Sequence, residues 1–170
     1  VGSEMCIRDR KWTVSSKIQY KDIGDEDMIN AFRVLYNNNF KREALLFAFA
    51  TVTGLRKSEI YLLTKNNIDW NSRLILTGIY DDRFIRRTKK SFFTFITEEV
   101  KKMFEEYNYN IDIIKVSERR LKLMNKLIYN KLNKKITLQI CREFYSTKLI
   151  EAGFSETEVN ILQGRVKGIL

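Results

Sequence analysis

The sequence predicts a single domain of the α+β class, mainly helical, with a small three-stranded antiparallel sheet near its middle. Apolar residues at helical spacing dominate both ends of the chain, whereas short apolar runs separated by turn residues occupy the segment from 68 to 96. The length of 170 residues and the hydrophobic content of 44% suffice for one buried core. The predicted order is therefore helices, sheet, helices.

The first 24 residues are expected to lie outside this domain, which would span residues 25–170. Residues 1–10, VGSEMCIRDR, resemble a translated sequencing-adapter string, so we expect an artefactual tail there and assign Cys6 no role. Residues 11–24 are polar and mixed in composition, which indicates a linker or an extended arm.

Three helices are predicted before the sheet. Asp25–Asp27 offers an N-cap and an acidic first turn, and the three asparagines at 37–39 end the first helix. The second helix, Phe40–Thr53, is apolar on nearly every side after Glu43, so it should lie at the centre of the core. The third helix should span Arg56–Thr64, directly after a turn that contains Gly54.

The sheet is predicted from three short strands, Ile68–Trp70, Arg73–Ile79 and Phe92–Ile96. A basic run, Arg83–Lys90, lies between the second and third strands and should form the turn of a hairpin. Two interpretations of this run stay open. It is either a solvated hairpin tip or a group of cations that contacts a bound polyanion.

Four helices are predicted after the sheet, because four residues suited to N-capping each precede an apolar helical stripe. These N-caps are Thr97, Ser117, Thr137 and Ser155. The stripe of the third of these helices places Cys141 and Tyr145 in the core. The helix after Ser117 should turn its basic residues mostly outward, where they are solvated or follow phosphates, namely Arg119, Arg120, Lys122 and Lys126.

Composition restricts the possible functions. The net charge of +10, from 31 basic and 21 acidic residues, favours a polyanionic partner over a merely solvated surface. The chain contains no histidine, which excludes Ser-His-Asp, Cys-His and HExxH chemistry. Its two cysteines suggest neither a disulfide framework nor a metal site. With no apolar run of the ~18–20 residues needed to span a bilayer and no signal peptide, we expect no membrane partner and a cytoplasmic location.

Two motifs flank the predicted sheet. The first reads Thr53-Gly-Leu-Arg56-Lys-Ser-Glu-Ile60, and the second reads Gln139-Ile-Cys-Arg142-Glu, then Leu149-Ile-Glu-Ala-Gly153 and Leu162-Gln-Gly-Arg165. Together they resemble the TGLRxSEL and HxLRH…LLEAG…LGH motifs of the tyrosine recombinases, or phage-type integrases, over a catalytic domain from about Asp25 to the end. Gln139 and Arg165 replace the usual histidines, which resembles the integrases of archaeal viruses and related mobile elements.

The resemblance implies a site-specific recombinase that cuts and rejoins DNA through a 3′-phosphotyrosyl intermediate, with no metal or other cofactor. Its partners would be double-stranded DNA, with which it would be associated inside a prokaryotic cell, and further copies of itself in a tetrameric synapse. Arg56 and Arg142 would hold the scissile phosphate, with Glu59 behind Arg56. Lys89 or Lys90 would protonate the leaving 5′-oxygen, and Arg165 would add a donor. Gln139 could only hydrogen-bond, and the implied DNA contacts are Arg86, Arg87, Arg119 and Lys122.

The family's nucleophilic tyrosine follows the last motif, and the last tyrosine of this sequence is Tyr145, in the predicted core stripe. We therefore expect a catalytic domain truncated before its nucleophile and inactive alone. Two other functions stay open: a non-catalytic DNA-binding protein that keeps the recombinase fold, and an unrelated basic helical nucleic-acid-binding protein. In the second, the basic residues of the two motifs would be scattered rather than convergent.

Each arginine also has a simpler interpretation. Arg56 could be a helix-start residue that only forms a salt bridge with Glu59. Arg142 could lie on a helix surface, and Arg165 could be a helix-end cation that complements the helix dipole. Lys89 and Lys90 could be plain contacts to a DNA backbone.

Overall fold

The computed structural model describes residues 23–77 and 93–165, together with Arg83 and the backbone pairing of 85–86 with 89–90. The expected artefactual tail and all but the last two residues of the expected arm lie outside the described residues.

Seven α-helices are present in the described part of the chain, and they confirm a mainly helical domain. Two short 3-10 turns, Lys65–Asn67 and Ile111–Ile114, join the elements around the sheet. The helices are α1 Asp25–Asn37, α2 Lys41–Thr53, α3 Lys57–Leu62, α4 Glu98–Glu105, α5 Glu118–Leu132, α6 Leu138–Glu151 and α7 Glu156–Leu162.

Most of the predicted caps form. The side chains of Thr97, Ser117 and Ser155 each accept a hydrogen bond from a backbone N–H in the first turn of their helix. Thr137 precedes α6 but makes no such bond. The N-cap of α1 is Gly24 rather than Asp25, because the carboxylate of Asp27 accepts the Gly24 N–H at 2.9 Å.

Helix α2 forms the centre of the core, as its apolar sequence predicts. It packs against α1, α6, α4 and α5, and Leu46, Phe49 and Ala50 are fully buried. Phe49 meets Phe104 of α4 edge-on, with 5.8 Å between ring centroids. Burying a large apolar side chain such as Leu46 or Phe49 stabilises the fold by about 1.5–3 kcal/mol. Helix α2 therefore holds together the helix that precedes the sheet in sequence and the helices that follow it.

The three-stranded antiparallel sheet is confirmed, with the order β1-β2-β5. Its strands are shorter than expected: β1 Ile68–Asp69, β2 Leu74–Leu76 and β5 Phe93–Phe95. The basic run between β2 and β5 is more than a turn. Its β3, Ile85–Arg86, pairs with β4, Lys89–Lys90, as a separate two-stranded ribbon in which Arg86 lies opposite Lys89.

The turn between α2 and α3 requires glycine at position 54. Gly54 caps α2 with a φ of +66°, and its N–H donates to the Ala50 carbonyl at 3.1 Å. A Cβ at this position would lie 2.2–2.8 Å from ring atoms of Tyr145 on α6. The sheet is joined to the same turn, because the Thr94 hydroxyl donates to the Thr53 carbonyl at 2.8 Å.

The structure predicts that Gly54→Ala lowers the free energy of unfolding by about 2–4 kcal/mol, since it adds backbone strain and an overlap with Tyr145. Urea denaturation measures the loss. Gly153→Ala is the matched control, because Gly153 also has a positive φ, +100°, but no atom within 4 Å of an added Cβ. It should cost only about 1 kcal/mol. Equal losses in both variants would show that the Tyr145 contact is unimportant.

Candidate functional site

Arg56 is held at the start of α3 by Glu59. Arg56 is the N-cap residue of the helix, and its backbone N–H donates to Glu59 Oε1 at 2.9 Å. Its side-chain Nη1 donates to the same oxygen at 3.2 Å. The side chain is 19% exposed, so the guanidinium is fixed and still reaches the surface. The salt bridge of the simpler interpretation therefore exists, and it also orients Arg56.

Arg142 reaches the same place from α6, and it is buried. Its side chain is only 3% exposed, so the interpretation as a surface helix arginine is wrong. Nη1 donates to the Gly54 carbonyl at 2.6 Å, and Nη2 donates to the Gln163 carbonyl at 2.8 Å. In return, Gln163 Nε2 donates to the Arg142 carbonyl at 2.9 Å. Arg142 thus joins the turn before α3 to the end of α7.

The two arginines converge on one carboxylate. Glu59 Oε1 lies 3.2 Å from Nη1 of Arg56 and 3.8 Å from Nη1 of Arg142. Glu59 Oε2 is buried and has no hydrogen-bond partner within the described part of the chain. Two cations share one buried anion, which leaves an excess of one positive charge in a poorly solvated place. Such a group attracts an incoming anion more strongly than an exposed pair would.

A cavity of about 260 Å³ opens beside this pair, and we call it the arginine cavity. Gln139 of the second motif and Lys122 of α5, both exposed, belong to its lining. Gln139 Nε2 donates to Glu143 Oε1 at 3.2 Å. The residues that line the cavity are Leu55, Arg56, Lys57, Glu118, Leu121, Lys122, Asn125, Thr137, Leu138, Gln139 and Arg142.

Two polar residues near the site, Asn125 and Gln163, were not predicted as site residues from the sequence. Asn125 lines the arginine cavity, and its buried Oδ1 has no partner among the residues described. The sequence does contain a signal for Asn125. It lies four residues after Leu121 and three before Ile128, so its amide shares the helix face of two core residues. Gln163, which bonds reciprocally to Arg142, gave no such signal, because its partners are recognisable only in the folded chain.

Tyr145 belongs to the core, as predicted. It is 9% exposed, packs against Gly54 and is not among the residues lining the arginine cavity. Its hydroxyl lies 3.5 Å from Thr94 Oγ1, which is a weak contact. Burial raises the pKa of the Tyr145 hydroxyl, although Thr94 and Arg142 oppose that shift, so the phenol holds its proton firmly. Burial likewise raises the pKa of the Cys141 thiol, to about 12.

Other predicted site residues lie elsewhere or cannot be placed. Arg165 is exposed just after α7, where its N–H donates to the Asn160 carbonyl at 2.8 Å. It lines a separate groove with Ile140 and Phe144 of α6, not the arginine cavity. Arg119 is exposed on α5 and is also not part of the lining. For the basic ribbon, the backbone of Arg86, Lys89 and Lys90 is described without side-chain positions, and Arg87 lies outside the described residues.

Metal-binding clusters and membrane-spanning helices are both absent from the residues that the structure describes. These residues contain no group of three or more His, Cys, Asp or Glu side chains arranged to hold a metal ion. None of their helices has the length and apolar character needed to cross a membrane.

Comparison with known proteins supplies the family. A model of the archaeal phage integrase family matches residues 21–169. The chain belongs to the archaeal phage integrase family. An unrelated basic helical nucleic-acid-binding protein is therefore the wrong interpretation. No curated protein matches the chain.

Solved structures show that this integrase has the tyrosine recombinase fold. XerA recombinase superposes with a TM-score of 0.64 and 17% sequence identity, covering 84% of this chain and 53% of XerA. The Tn1549 transposon integrase, in complex with a circular intermediate DNA, gives a TM-score of 0.66 and 16% identity, covering 85% of this chain and 58% of that one. The integrase chain thus spans little more than half the length of either structure.

Substitution of the shared carboxylate tests the arrangement of the site. Glu59→Gln should lower the free energy of unfolding by about 3 kcal/mol, because it leaves the buried guanidinium of Arg142 and the partly buried one of Arg56 without their shared anion. Chemical denaturation measures this loss. Glu99→Gln is the control, since Glu99 is exposed on α4 and should change stability by less than about 0.5 kcal/mol. A loss as small as that of the control would contradict the proposed burial of the carboxylate between the arginines.

Proposed function

We propose that this integrase is a site-specific recombinase that binds the scissile phosphate of double-stranded DNA in the arginine cavity. The observation that carries the proposal is the convergence of Arg56 and Arg142 on Glu59 at the cavity wall. A phosphate is the anion that guanidinium groups bind best, because their paired N–H donors match its oxygens. The net charge of +10 and the DNA bound in the Tn1549 integrase structures support DNA as the partner.

In the proposed reaction, a tyrosine hydroxyl attacks the phosphorus. The bond from phosphorus to the 5′-oxygen breaks as the 3′-phosphotyrosyl bond forms, and a 5′-hydroxyl of a second strand later reverses the step. Negative charge on the non-bridging oxygens is greatest in the transition state, so fixed guanidinium groups stabilise that state more than the ground state. Arg56 and Arg142 provide this stabilisation, and Glu59 positions both.

The remaining roles are proposed on the family pattern. Lys89 or Lys90 gives a proton to the leaving 5′-oxygen, since an ammonium group can act as a general acid. Gln139 donates a hydrogen bond at the cavity, and Arg165 adds a donor when DNA brings the end of α7 toward the phosphate. Arg86, Arg87, Arg119 and Lys122 follow the DNA backbone. The nucleophilic tyrosine comes from outside these 170 residues, from the same or another protomer, within a tetrameric synapse inside the prokaryotic cell.

A second function is favoured by one specific observation. Arg142 already donates to the carbonyls of Gly54 and Gln163, which is how a purely structural arginine behaves. A DNA-binding protein that keeps the recombinase fold without catalysis would use Arg142 in this way. The two functions differ in whether a covalent protein–DNA adduct can ever form.

The decisive measurement is the formation of a covalent protein–DNA adduct. The substrate is supercoiled DNA that carries the recombination site of the mobile element encoding this chain. Residues 1–170 should bind this DNA without forming an adduct, and a chain extended with its natural continuation should form one. In that extended chain, Arg56→Ala should lower the rate about 10²–10³-fold, the usual effect of removing one transition-state donor. Arg33→Ala, an exposed substitution on α1, is the control. Adduct from residues 1–170 alone, or none from the extended chain, would contradict the proposal.

Arg142→Ala should differ from Arg56→Ala in one respect. Both should slow adduct formation strongly, but Arg142→Ala should also lower the melting temperature, because it leaves two buried carbonyls unsatisfied. Arg56→Ala should have the smaller effect on melting, since its side chain is partly solvated. Thermal unfolding of the two variants, measured together, checks this order, and the reverse order would argue against Arg142 as the buried member of the pair.

Tyr145→Phe should leave adduct formation by the extended chain unchanged. The phenol packs in the core and its hydroxyl makes only a weak contact to Thr94, so the loss in stability should be below about 1 kcal/mol. Mass spectrometry of a trapped adduct identifies the tyrosine that is joined to DNA. A DNA-linked peptide containing Tyr145 would overturn this assignment.

A further inference from the structure

A second basic cleft lies at the start of α5, on the other side of that helix from the arginine cavity, and the two share no lining residue in the described part of the chain. The cleft has a volume of about 420 Å³. Ser117, the N-cap of α5, and Arg120 belong to this cleft, whereas Glu118 and Lys122, nearly opposite Arg120 around the helix, belong to the arginine cavity. The cleft is lined by four cationic residues and one acid, with three others between them: Asn39, Lys41, Arg42, Glu43, Lys115, Val116, Ser117 and Arg120.

Arg120 is fixed in the cleft through one edge of its guanidinium. Its Nε donates to Glu43 Oε1 at 2.7 Å, and its guanidinium carbon lies 4.3 Å from the centroid of the Phe40 ring. Glu43 is 2% exposed, so this ion pair neutralises a buried carboxylate. The Nη1 and Nη2 of Arg120 have no hydrogen-bond partner among the described residues, which leaves two donors at the surface.

Arg42 is held in the same manner. Its Nε donates to the Ile113 carbonyl at 2.8 Å, and its two Nη atoms also lack a partner within the described ranges. The helical pattern predicts that the Arg120 side chain faces outward. Only its two Nη atoms do so, because Nε is bonded to the buried carboxylate of Glu43. In both residues the protein restrains the side chain and leaves its outer donors available, which reduces the entropy lost when a ligand binds.

The chemistry of the cleft selects a phosphate. The four cations of the lining outnumber the two acids that pair with them, Glu43 with Arg120 and Asp112 with Lys115, and the surplus positive charge repels a metal ion. The lining includes one aliphatic residue, Val116, which gives a base or an acyl chain little to pack on. Two guanidinium groups with paired free donors match phosphate oxygens bidentately. Successive phosphates of a DNA strand are separated by a rise of about 3.4 Å, and one turn of a helix such as α5 rises about 5.4 Å. A strand that passes the start of α5 therefore presents more than one phosphate over that distance.

We propose that Arg42 and Arg120 bind a backbone phosphate of the DNA duplex, a few nucleotides from the phosphate in the arginine cavity. This inference rests on the proposed function, because it takes the arginine cavity to be occupied by the same DNA. The contact carries no sequence information. It sets the register of the duplex across the first turn of α5, so that the scissile phosphate meets Arg56.

The test is the salt dependence of binding to a short DNA duplex of arbitrary sequence, with the full chain of 170 residues. Arg42→Gln and Arg120→Gln should each weaken binding and reduce the slope of log K against log salt by about 1, the amount expected for one phosphate contact. Arg33→Gln is the matched control, since it removes one exposed positive charge on α1 and should leave the slope unchanged.

Stability must be measured beside binding. Arg120→Gln removes the partner of buried Glu43 and should lower the melting temperature, whereas Arg42→Gln loses one bond to a carbonyl and should change it little. A reduced slope in the well-folded Arg42→Gln variant therefore supports the proposal independently of Arg120. Inorganic phosphate at the same ionic strength as the salt control should not displace the duplex, and displacement by it would show a free-anion site instead.

Slopes of both variants equal to that of Arg33→Gln would overturn the cleft as a DNA contact. The recombinase proposal would survive that result, because adduct formation depends on Arg56 and Arg142 and is assayed separately. Equal loss of affinity for single-stranded RNA and for duplex DNA would also overturn the proposal as stated, since it assigns the cleft to a duplex.

Discussion

The burial of the Arg142 guanidinium is the constraint on which the rest of the site depends. A cation that is 3% exposed must have acceptors around it, and the chain provides the carbonyls of Gly54 and Gln163 and the nearby carboxylate of Glu59. These acceptors come from the turn before α3, from the end of α7 and from α3 itself. One side chain of α6 therefore links the turn and first residues of α3 to the end of α7, about a hundred residues further along the chain.

The turn that carries Arg56 is held from three directions. Arg142 binds the Gly54 carbonyl, the Tyr145 ring occupies the space where a Cβ would be, and Thr94 of the sheet bonds to the Thr53 carbonyl. Such a turn has little freedom to move when a ligand arrives. Rigidity of this kind is what a group needs if it is to favour a transition state over a ground state, because no reorganisation is required during the reaction.

Charge in this integrase is organised around buried acids. Glu59 lies beneath Arg56 and Arg142, and Glu43 lies beneath Arg120. In each place the carboxylate orients a guanidinium, and the surplus positive charge faces a cavity or cleft. Gln139 bonds to Glu143 at the rim and takes no part in this arrangement. The start of α5 lies between these two basic places.

The sequence by itself determined the helical class, most of the caps, the central position of α2, the glycine at 54, the buried Cys141 and Tyr145, and the identity of the two converging arginines. All of these depend on short-range signals: capping residues, apolar spacing and two local motifs. Only the tertiary structure decided that Arg142 is buried, because its acceptors lie 88 and 21 residues away. It also decided the bond from Gln163 and the position of Arg165 on another groove, since both depend on which segments meet when the core packs. The β3–β4 ribbon is local, because it pairs residues three to five apart, but the basic sequence predicts only a turn there.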